Sequence, residues 1–343
     1  MRLVWHKLIH WEYWPMHIVY LPVYFYWIWL SIRARSLFFF NAANPGMKNG
    51  GFVMESKFDI YQLIPPLFYP ATILVRSDVP LVEISKLLNA HQIDYPFFAK
   101  PDIGLRGSAV KKINDEKELE DYHERATFDY LIQNQIPYPN EIGVFYVKLP
   151  GSTGKITGIV NKELVTVTGD GYSNIEELIC QIPRFELQIT PLRREYGQRL
   201  LEILPLNQRM NLVPYGNHIR GAKFTDVSHW KTPQLERAFD EICSQVSGFC
   251  FGRLDIMYNT IEELEQKRNF MIVEINGAAS EPTHIYDPRH SLWFAWKELL
   301  RHINLMYLVS KANRDSGAPY LNFKQGMQEI RNHFKHNAKI LKF

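Results

Sequence analysis

The sequence predicts an α+β protein with mostly antiparallel sheets, because short apolar strands alternate with amphipathic helices along the chain. The clearest strands are residues 252–257 and 270–277, in which polar side chains recur at every second position. With 343 residues, 46% of them hydrophobic, the chain can bury one large core or two medium ones. Helices are predicted over residues 81–91, 116–127, 232–247 and 291–309.

The first forty residues are rich in aromatic side chains. Residues 13–32 form a run of twenty without Asp, Glu, Lys or Arg, long enough to span a bilayer. Pro15 and Pro22 interrupt the run, and Trp and Tyr prefer the headgroup level of a membrane. We therefore expect a segment that lies in the membrane interface. The alternatives are an aromatic hairpin packed on the core and a signal peptide, although no small-residue cleavage site ends the run.

A loop with two glycines follows an apolar strand at residues 97–100. Lys100 ends the strand, and Gly104, Gly107 and Ser108 lie in the loop before a second short strand. Glycine lets backbone N–H groups approach phosphate oxygens, and a lysine adds positive charge. The segment is neither a Walker loop nor a dinucleotide fingerprint, because no Gly-Lys-Ser/Thr precedes a helix and no βαβ unit surrounds it. An ordinary turn is the alternative to a phosphate-binding flap.

The two clearest strands place their polar residues on one face. Arg253 and Asp255 are two residues apart on the first strand, and Glu274 and Asn276 are two apart on the second. If the strands form a hairpin, two carboxylates, a guanidinium and an amide converge, which suits Mg²⁺ bound together with nucleotide phosphates. The alternative is a solvated hairpin with ion pairs. The opposite face is apolar and suits a core: Leu254, Ile256, Val273 and Ile275.

These motifs resemble the ATP-grasp ligases, in particular the D-alanine–D-alanine ligase branch, from about Met54 to about Asp287. The segment 168–179 is similar to one in cyanophycin-synthetase-like members; by itself it predicts a turn and a helix capped by Ser173 and Glu176. The resemblance implies an ATP-grasp fold, in which two α+β lobes clamp ATP. The aromatic segment at residues 1–50 stands in place of the family's usual N-terminal α/β domain. Residues 51–135 would form the small lobe, 136–310 the large lobe and 311–343 a C-terminal helix.

The resemblance also implies roles for the candidate site residues. Three lysines would contact the phosphates of ATP: Lys57, Lys100 and Lys223. The flap glycines Gly104 and Gly107 would cover the phosphates together with Ser108. The hinge residues Gln133, Asn134 and Ile136 would hold adenine, and Glu141 would contact the ribose.

The hairpin residues and one further arginine complete the implied site. Asp255, Glu274 and Asn276 would hold two Mg²⁺ ions, with Mn²⁺ as a possible substitute, and Arg253 would contact the transferred phosphoryl group. Arg220 is a candidate for holding a substrate carboxylate or phosphate. The sequence departs from the family pattern at Gln133, where an acid is usual. It departs again after Asn276, where the family pattern leads to a serine that grips the amino-acid carboxylate and this chain instead reads Gly-Ala-Ala-Ser-Glu-Pro-Thr-His at residues 277–284, which weakens the case for D-alanine as substrate.

The activity implied is ligation of a carboxylate to an amine through an acyl phosphate, with small-molecule or lipid-borne substrates. An ATP-grasp kinase acting on a membrane-associated substrate and a non-catalytic nucleotide-binding adaptor are the alternatives. Intact acidic and lysine positions favour an enzyme over the adaptor.

The C-terminal segment 323–343 predicts a basic amphipathic helix, which suits an anionic membrane surface or a solvated face of a docked helix. Its apolar stripe consists of Phe323, Met327, Ile330, Phe334 and Leu341. The balance of 39 basic against 36 acidic residues gives no nucleic-acid footprint. The sequence therefore predicts a cytoplasmic protein bound peripherally to the inner face of the cell membrane.

Overall fold

The computed structural model describes residues 2–104, 107–213 and 215–343. Eleven strands lie within these residues, and every pairing between them is antiparallel. The predicted α+β class with antiparallel sheets is confirmed. The strands are β1 (Thr72–Val75), β2 (Phe97–Pro101), β3 (Lys111–Ile113), β4 (Tyr130–Asn134), β5 (Asn140–Val147), β6 (Lys155–Glu163), β7 (Thr166–Thr168), β8 (Arg209–Asn211), β9 (Lys223–Asp226), β10 (Phe251–Tyr258) and β11 (Phe270–Asn276).

The strands form two main sheets and one small one. The first sheet has four strands in the order β1-β4-β2-β3, and the second has five in the order β11-β10-β5-β6-β9. The strands β7 and β8 pair separately. Residues 135–139 connect β4 to β5 and thus join the first sheet to the second.

Thirteen α-helices lie within the described residues. They are α1 (Arg2–Ile9), α2 (Met16–Val19), α3 (Leu21–Ala34), α4 (Lys57–Leu63), α5 (Leu81–Ala90), α6 (Glu116–Arg125), α7 (Ile175–Gln181), α8 (Pro183–Glu186), α9 (Ile189–Tyr196), α10 (Pro233–Ser244), α11 (Ile261–Glu265), α12 (Leu292–Asp315) and α13 (Phe323–Ile340).

Two helices differ from their prediction. Helix α12 continues six residues beyond 309, because its last turns are buried and Asn313 donates to the carbonyl oxygen of Ala42 at 2.8 Å. Helix α7 is capped by Asn174 and Glu177, not by Ser173 and Glu176. The reason is that Asp170 accepts the backbone N–H of Ser173 at 2.7 Å, so that residue still belongs to the turn.

The apolar face of the β10–β11 hairpin lies in the core of the second sheet. Leu254, Ile256 and Ile275 are buried, as predicted. The register shifts between Asp255 and Ile256, which pair with Glu274 and Ile272. Val273 is therefore a bulge residue, and Ile272 takes the core position expected for it.

The aromatic N-terminal segment packs on the second sheet and α12. Leu30 and Phe39 are fully buried against this part of the core. The Trp11 indole donates to the carbonyl oxygen of His290 at 2.9 Å, and the Trp296 indole donates to that of Val19 at 2.8 Å. These contacts match the alternative given above, in which an aromatic hairpin packs on the core. Among the described residues, no helix is both long and apolar enough to cross a bilayer.

One face of α3 is nevertheless exposed and apolar. Side chains at helical spacing point away from the core with 47–71% of their surface exposed. Arg33, in the last turn, lies over the Trp29 ring at 4.8 Å. The exposed residues are Leu21, Tyr24, Phe25, Ile28, Trp29 and Ile32.

The residues after this helix are integral to the second sheet. Asn44 is fully buried and donates to the carbonyl oxygens of Gly50 and Phe251 at 2.9 and 2.8 Å. Its amide oxygen accepts the N–H groups of Cys250 and Phe251, both at 2.8 Å. Residue 50, where the N-terminal segment was expected to end, therefore lies within a packed part of the core.

The C-terminal helix α13 bridges two parts of the core. Met327 and Ile330 pack beside Phe38, and Ile340 is buried in the core of the first sheet. Phe323 and Phe334 of the predicted stripe are instead 64% and 68% exposed. The helix is thus docked through part of its apolar face, and its basic face is solvated.

Candidate functional site

A buried ion-pair cluster lies on the polar face of β10, β5 and β6. The Arg253 guanidinium donates to both oxygens of Asp255, from Nε at 2.8 Å and from an η nitrogen at 3.0 Å. Lys162 Nζ lies 3.0 Å from Asp255 Oδ1 and 2.7 Å from Glu141 Oε1. The cluster consists of four side chains whose charges alternate between positive and negative: Arg253, Asp255, Lys162 and Glu141.

The cluster holds Asp255 ionised. Burial opposes the charge, but Arg253 and Lys162 outweigh it and lower the pKa of Asp255 to about 2. Lys162 was not among the residues expected from the sequence. The only signal was a lysine next to an apolar run, and the strand register was needed to show which way it points.

Gly143 makes room for the cluster. It pairs with Asp255 across β5 and β10. A Cβ atom at this position would lie 3.1 Å from Asp255 Oδ1, 3.2 Å from Arg253 Cδ and 2.8 Å from a Val160 methyl carbon. A side chain here would therefore force the carboxylate and guanidinium apart.

Lys57 connects the first sheet to the hairpin. Its Nζ lies 3.6 Å from Glu274 Oε1 and donates to the carbonyl oxygen of Asp102 at 3.3 Å. Glu274 pairs with Asp255 across the hairpin, so Lys57 stands next to the buried ion-pair cluster. Glu55 is close by, and burial raises its pKa. The structure thus brings Lys57, Glu274 and Asp255 together, as expected.

Lys100 is buried among neutral acceptors. Its Nζ donates to Gln133 Oε1 at 2.8 Å, to the Tyr61 hydroxyl at 3.0 Å and to the carbonyl oxygen of Val273 at 3.4 Å. The bulge at Val273 leaves that carbonyl available to the lysine and to the Tyr61 hydroxyl. Burial lowers the pKa of Lys100 to about 8. The acid usual at the position of Gln133 would oppose this shift.

The hinge residues lie beside Lys100, which contacts Gln133. Gln133 also donates to Thr72 Oγ1 at 2.8 Å, so both ends of its amide are fixed. The backbone N–H of Asn134 donates to the carbonyl oxygen of Ala71 at 3.0 Å, and Ile136 is buried. Contact of these residues with adenine stays a prediction.

The flap lies over Lys57 and the loop before β9. A Cβ at Gly104 would be 3.2 Å from Lys57 Nζ. Gly107 has a φ of 83° and approaches the Asn217 amide, where a Cβ would be 2.9 Å from Nδ2. Ser108 follows in the same turn. The expected flap also includes Leu105 and Arg106, which lie outside the described residues.

Two expected residues are not brought to this cleft. Lys223 pairs with Glu163 at 3.1 Å on the opposite face of the second sheet, because its neighbour Phe224 is the residue that pairs with Lys162. Arg220 is half-buried and contacts Glu195 at 3.0 Å. Lys162, which the sequence analysis did not single out, is the lysine that this sheet places in the cluster.

The hairpin donors suit a hard cation. In the part of the chain described, no three or more His, Cys, Asp or Glu side chains come together in a group that could hold a metal. Mg²⁺, however, commonly uses one or two carboxylates and takes its other ligands from phosphates and water. Asp255, Glu274 and the Asn276 amide lie together on the hairpin, with Asn276 Nδ2 3.5 Å from Asp255 Oδ2. Glu274 and the Asn276 amide oxygen suit Mg²⁺ bound with a nucleotide, whereas both oxygens of Asp255 already accept from Arg253 and would have to be released to bind a metal.

No protein-family model and no curated protein sequence matches the chain. Similar solved structures include a bifunctional glutathione synthetase from Pasteurella multocida, with 13% identity and a TM-score of 0.36 over 71% of this chain and 36% of that one. The VanG D-Ala:D-Ser ligase from Enterococcus faecalis has 12% identity and a TM-score of 0.43 over 74% and 61%. D-alanine–D-alanine ligase from Bacillus anthracis has 14% identity and a TM-score of 0.42 over 76% and 69%.

The chain spans about a third of the length of the first of these proteins and about three-fifths of the second. A D-alanine–D-alanine ligase, the branch that the sequence motifs resemble, is thus among the similar solved structures.

Proposed function

We propose that this protein is an ATP-dependent ligase that joins a carboxylate to an amine through an acyl-phosphate intermediate. The observation that carries the proposal is the meeting of two sets of charges at the β10–β11 hairpin. Lys57 on α4 and Lys100 on β2 both contact β11, and the buried ion-pair cluster lies beside it on the second sheet. Such an arrangement suits a triphosphate held between two sheets, with charge stabilisation at the phosphorus that reacts.

ATP would lie with its phosphates between Lys57, Lys100 and the flap glycines, and with its adenine at the hinge. Glu274 and Asn276, with Asp255, would hold Mg²⁺, which supplies charge compensation to the phosphate oxygens when bound. The role of Asp255 toward its own neighbours is to fix the guanidinium of Arg253, because both of its oxygens accept from that side chain.

The reaction has two steps. A carboxylate oxygen attacks the γ-phosphorus, the bond to the β–γ bridging oxygen breaks, and ADP leaves with the electron pair. The amine, after losing its ammonium proton to solvent, then attacks the carbonyl carbon. The carbon–oxygen bond to phosphate breaks, phosphate leaves with that electron pair, and the nitrogen loses its second proton. Arg253 and Lys57 stabilise the transferring phosphoryl group, and the flap keeps water from the intermediate.

Oxygen-18 transfer tests the intermediate directly. The protein is incubated with ATP, Mg²⁺, an amine mixture and ¹⁸O-labelled carboxylates: D-alanine, glutamate and dodecanoate. We expect one labelled oxygen in the released phosphate, because an acyl phosphate transfers a carboxylate oxygen to phosphorus. The matched controls are Glu274→Gln, which should abolish the transfer, and Glu262→Gln, an exposed residue of α11 that should not change it.

Two results would contradict the proposal. Phosphate released without label would mean hydrolysis, and a stable phosphorylated product without phosphate release would identify a kinase. ATP binding without either reaction, across all the labelled carboxylates, would favour a nucleotide-binding adaptor.

We also propose that the ligase acts at a membrane surface. The exposed apolar face of α3 supports this, together with basic residues beside it, since an apolar helix face bordered by positive charge suits an anionic bilayer. Phe25→Gln with Ile32→Gln should reduce co-flotation with anionic liposomes at least tenfold, while Leu67→Gln, at a 79% exposed position elsewhere, should not. Equal flotation of both variants would contradict membrane binding through α3.

A further inference from the structure

An apolar cavity of about 520 Å³ lies between α3, α12, α13 and the chain that follows β11. This volume falls within the range of pockets that hold small-molecule ligands. Its walls are formed almost wholly by hydrophobic side chains, among them Val23, Trp27, Phe40, Ile303, Met306 and Ile330.

The cavity connects the exposed face of α3 with the candidate site. Tyr24 and Leu37 line it at the surface, where each has about half of its side chain exposed. Residues 278–282 line it elsewhere, directly after the hairpin strand that carries Glu274 and Asn276. Arg253 donates from an η nitrogen to the backbone oxygen of Glu281 at 3.3 Å. One region of the wall is therefore in direct contact with the buried ion-pair cluster.

The polar group at that region is a carboxylate. Glu281 lines the cavity and accepts hydrogen bonds from the hydroxyls of Tyr20 and Tyr286. His302 also lines it, but burial lowers the pKa of His302 to about 3, so the ring is neutral. Among the described residues that form the wall there is no lysine or arginine. A cationic head group is therefore favoured over an anionic one.

We infer that this cavity binds the alkyl tail of the amine substrate, with the ammonium group beside Glu281. The inference rests on the proposed ligase function and names the chemical class of its amine. A long-chain primary amine or an amino-lipid matches both the apolar wall and the Glu281 carboxylate, and the contact of Glu281 with Arg253 places the amine next to the candidate site. A long-chain carboxylic acid matches only the wall, because its head group would face Glu281.

The tail length sets the expected affinity. Each methylene transferred from water to an apolar wall tightens binding about three- to fourfold. Octylamine should therefore bind on the order of a hundredfold more tightly than butylamine. The gain should stop when the tail exceeds the length of the cavity.

The experiment is calorimetric titration of the full-length protein with butylamine, octylamine, dodecylamine and dodecanoate, each below its micelle concentration. Octylamine and dodecylamine should bind, and dodecanoate should bind at least tenfold more weakly than dodecylamine. Ile303→Trp, which fills the cavity, should weaken dodecylamine binding at least tenfold. Leu308→Trp is the matched control, because Leu308 lies on the same helix, is 40% exposed and does not line the cavity.

Glu281→Gln keeps the shape of the wall and removes its charge, so it should reduce the preference for dodecylamine over dodecanoate at least tenfold. Equal affinity for butylamine and dodecylamine, or unchanged dodecylamine binding in Ile303→Trp, would overturn the inference. Failure of ligation with every amine, despite tail-dependent binding, would instead overturn the proposed function and leave the cavity assignment standing as a binding site.

Discussion

Two lysines of the candidate site have opposite electrostatic surroundings. Burial opposes the charge of Lys162, but Asp255 and Glu141 outweigh it and raise its pKa. Lys100 has only neutral acceptors within hydrogen-bond distance among the contacts above, and its pKa is lowered to about 8. Lys162 is therefore a permanent charge, whereas Lys100 titrates near neutral pH.

The affinity for ATP should depend on the protonation of Lys100. Because the charged lysine is the form that attracts phosphate, the Kd for ATP should be constant below the pKa of about 8 and should rise as pH increases through it. At one pH unit above this value, binding should be about tenfold weaker. Calorimetry at pH values from ~7 to ~9.5 measures both the affinity and the proton taken up on binding.

Gln133→Glu provides the control for this titration. A carboxylate beside Lys100 would raise its pKa, so the loss of affinity should move to higher pH. An unchanged pH profile in this variant would show that another group titrates.

Asp255 and Glu274 should respond differently to substitution, although they pair across one hairpin. Asp255→Ala leaves Arg253 and Lys162 buried without their partner, which should cost about 3–5 kcal/mol of unfolding free energy. Glu274 is one-third exposed, so Glu274→Gln should cost less than about 1 kcal/mol. It should nevertheless lower phosphate release about a hundredfold or more through loss of a Mg²⁺ ligand. Urea unfolding measures the first effect and phosphate release the second. Equal stability of both variants would contradict the burial argument.

At the scale of elements, the segment that includes Asn44 fastens the N-terminal region to the second sheet. Asn44 makes four hydrogen bonds to backbone groups of residues 50, 250 and 251. Beside it, the N–H groups of Ala278 and Ala279 donate to the carbonyl oxygens of Gly50 and Gly51 at 2.9 and 3.1 Å. This segment thus closes the end of the hairpin that carries the site.

Asn44→Ala should destabilise the protein by about 3 kcal/mol or more, because it leaves several buried backbone groups without a partner. Asn259→Ala, at an exposed position, should lower the free energy of unfolding by only a few tenths of that amount. The measurement is the free energy of unfolding in urea. A small effect at Asn44 would mean that water or another side chain replaces its hydrogen bonds.

The elements predicted from the sequence were those whose side chains follow a strict period. Alternation in the hairpin was enough to place Arg253 and Asp255 on one face, and turn and helix signals gave six of the thirteen described helices, α5, α6, α7, α10, α12 and α13. The bulge at Val273 could not be predicted, since it depends on the pairing register between strands. The same register decides that Phe224, and not Lys223, shares a face with Lys162.

At the scale of the whole molecule, the N-terminal segment is both part of the core and a source of exposed apolar surface. A buried ion pair anchors its start: Glu12 contacts Arg184 at 2.7 Å and His218 at 2.8 Å. Burial opposes ionisation of Glu12, but hydrogen bonds from these two residues outweigh it and lower its pKa. The sequence suggested packing on the core as one alternative, and the structure shows these contacts; contact of the exposed face with a membrane stays a proposal.

Deleting residues 1–40 should therefore prevent folding, and not merely release the protein from membranes. The deletion removes fully buried side chains such as Leu30 and Phe39, each worth about 2–5 kcal/mol, against a typical total stability of about 5–15 kcal/mol. Deleting residues 1–10 is the matched control, because α1 contributes no buried residue. Circular dichroism and soluble yield distinguish the outcomes. A folded, ATP-binding protein after the longer deletion would contradict this view of the segment.

The balanced charges of the buried ion-pair cluster affect how a nucleotide would be attracted to the site. Two cations and two anions leave that side of the cleft with no net charge, so it cannot by itself draw in a polyanion. Positive charge comes instead from Lys57 on α4 and Lys100 on β2, and these two side chains already contact Glu274 and the carbonyl oxygen of Val273 on the hairpin. A triphosphate bound here would take the two lysines over from these protein partners. Because salt screens the charges involved, this exchange of partners should become weaker as ionic strength rises.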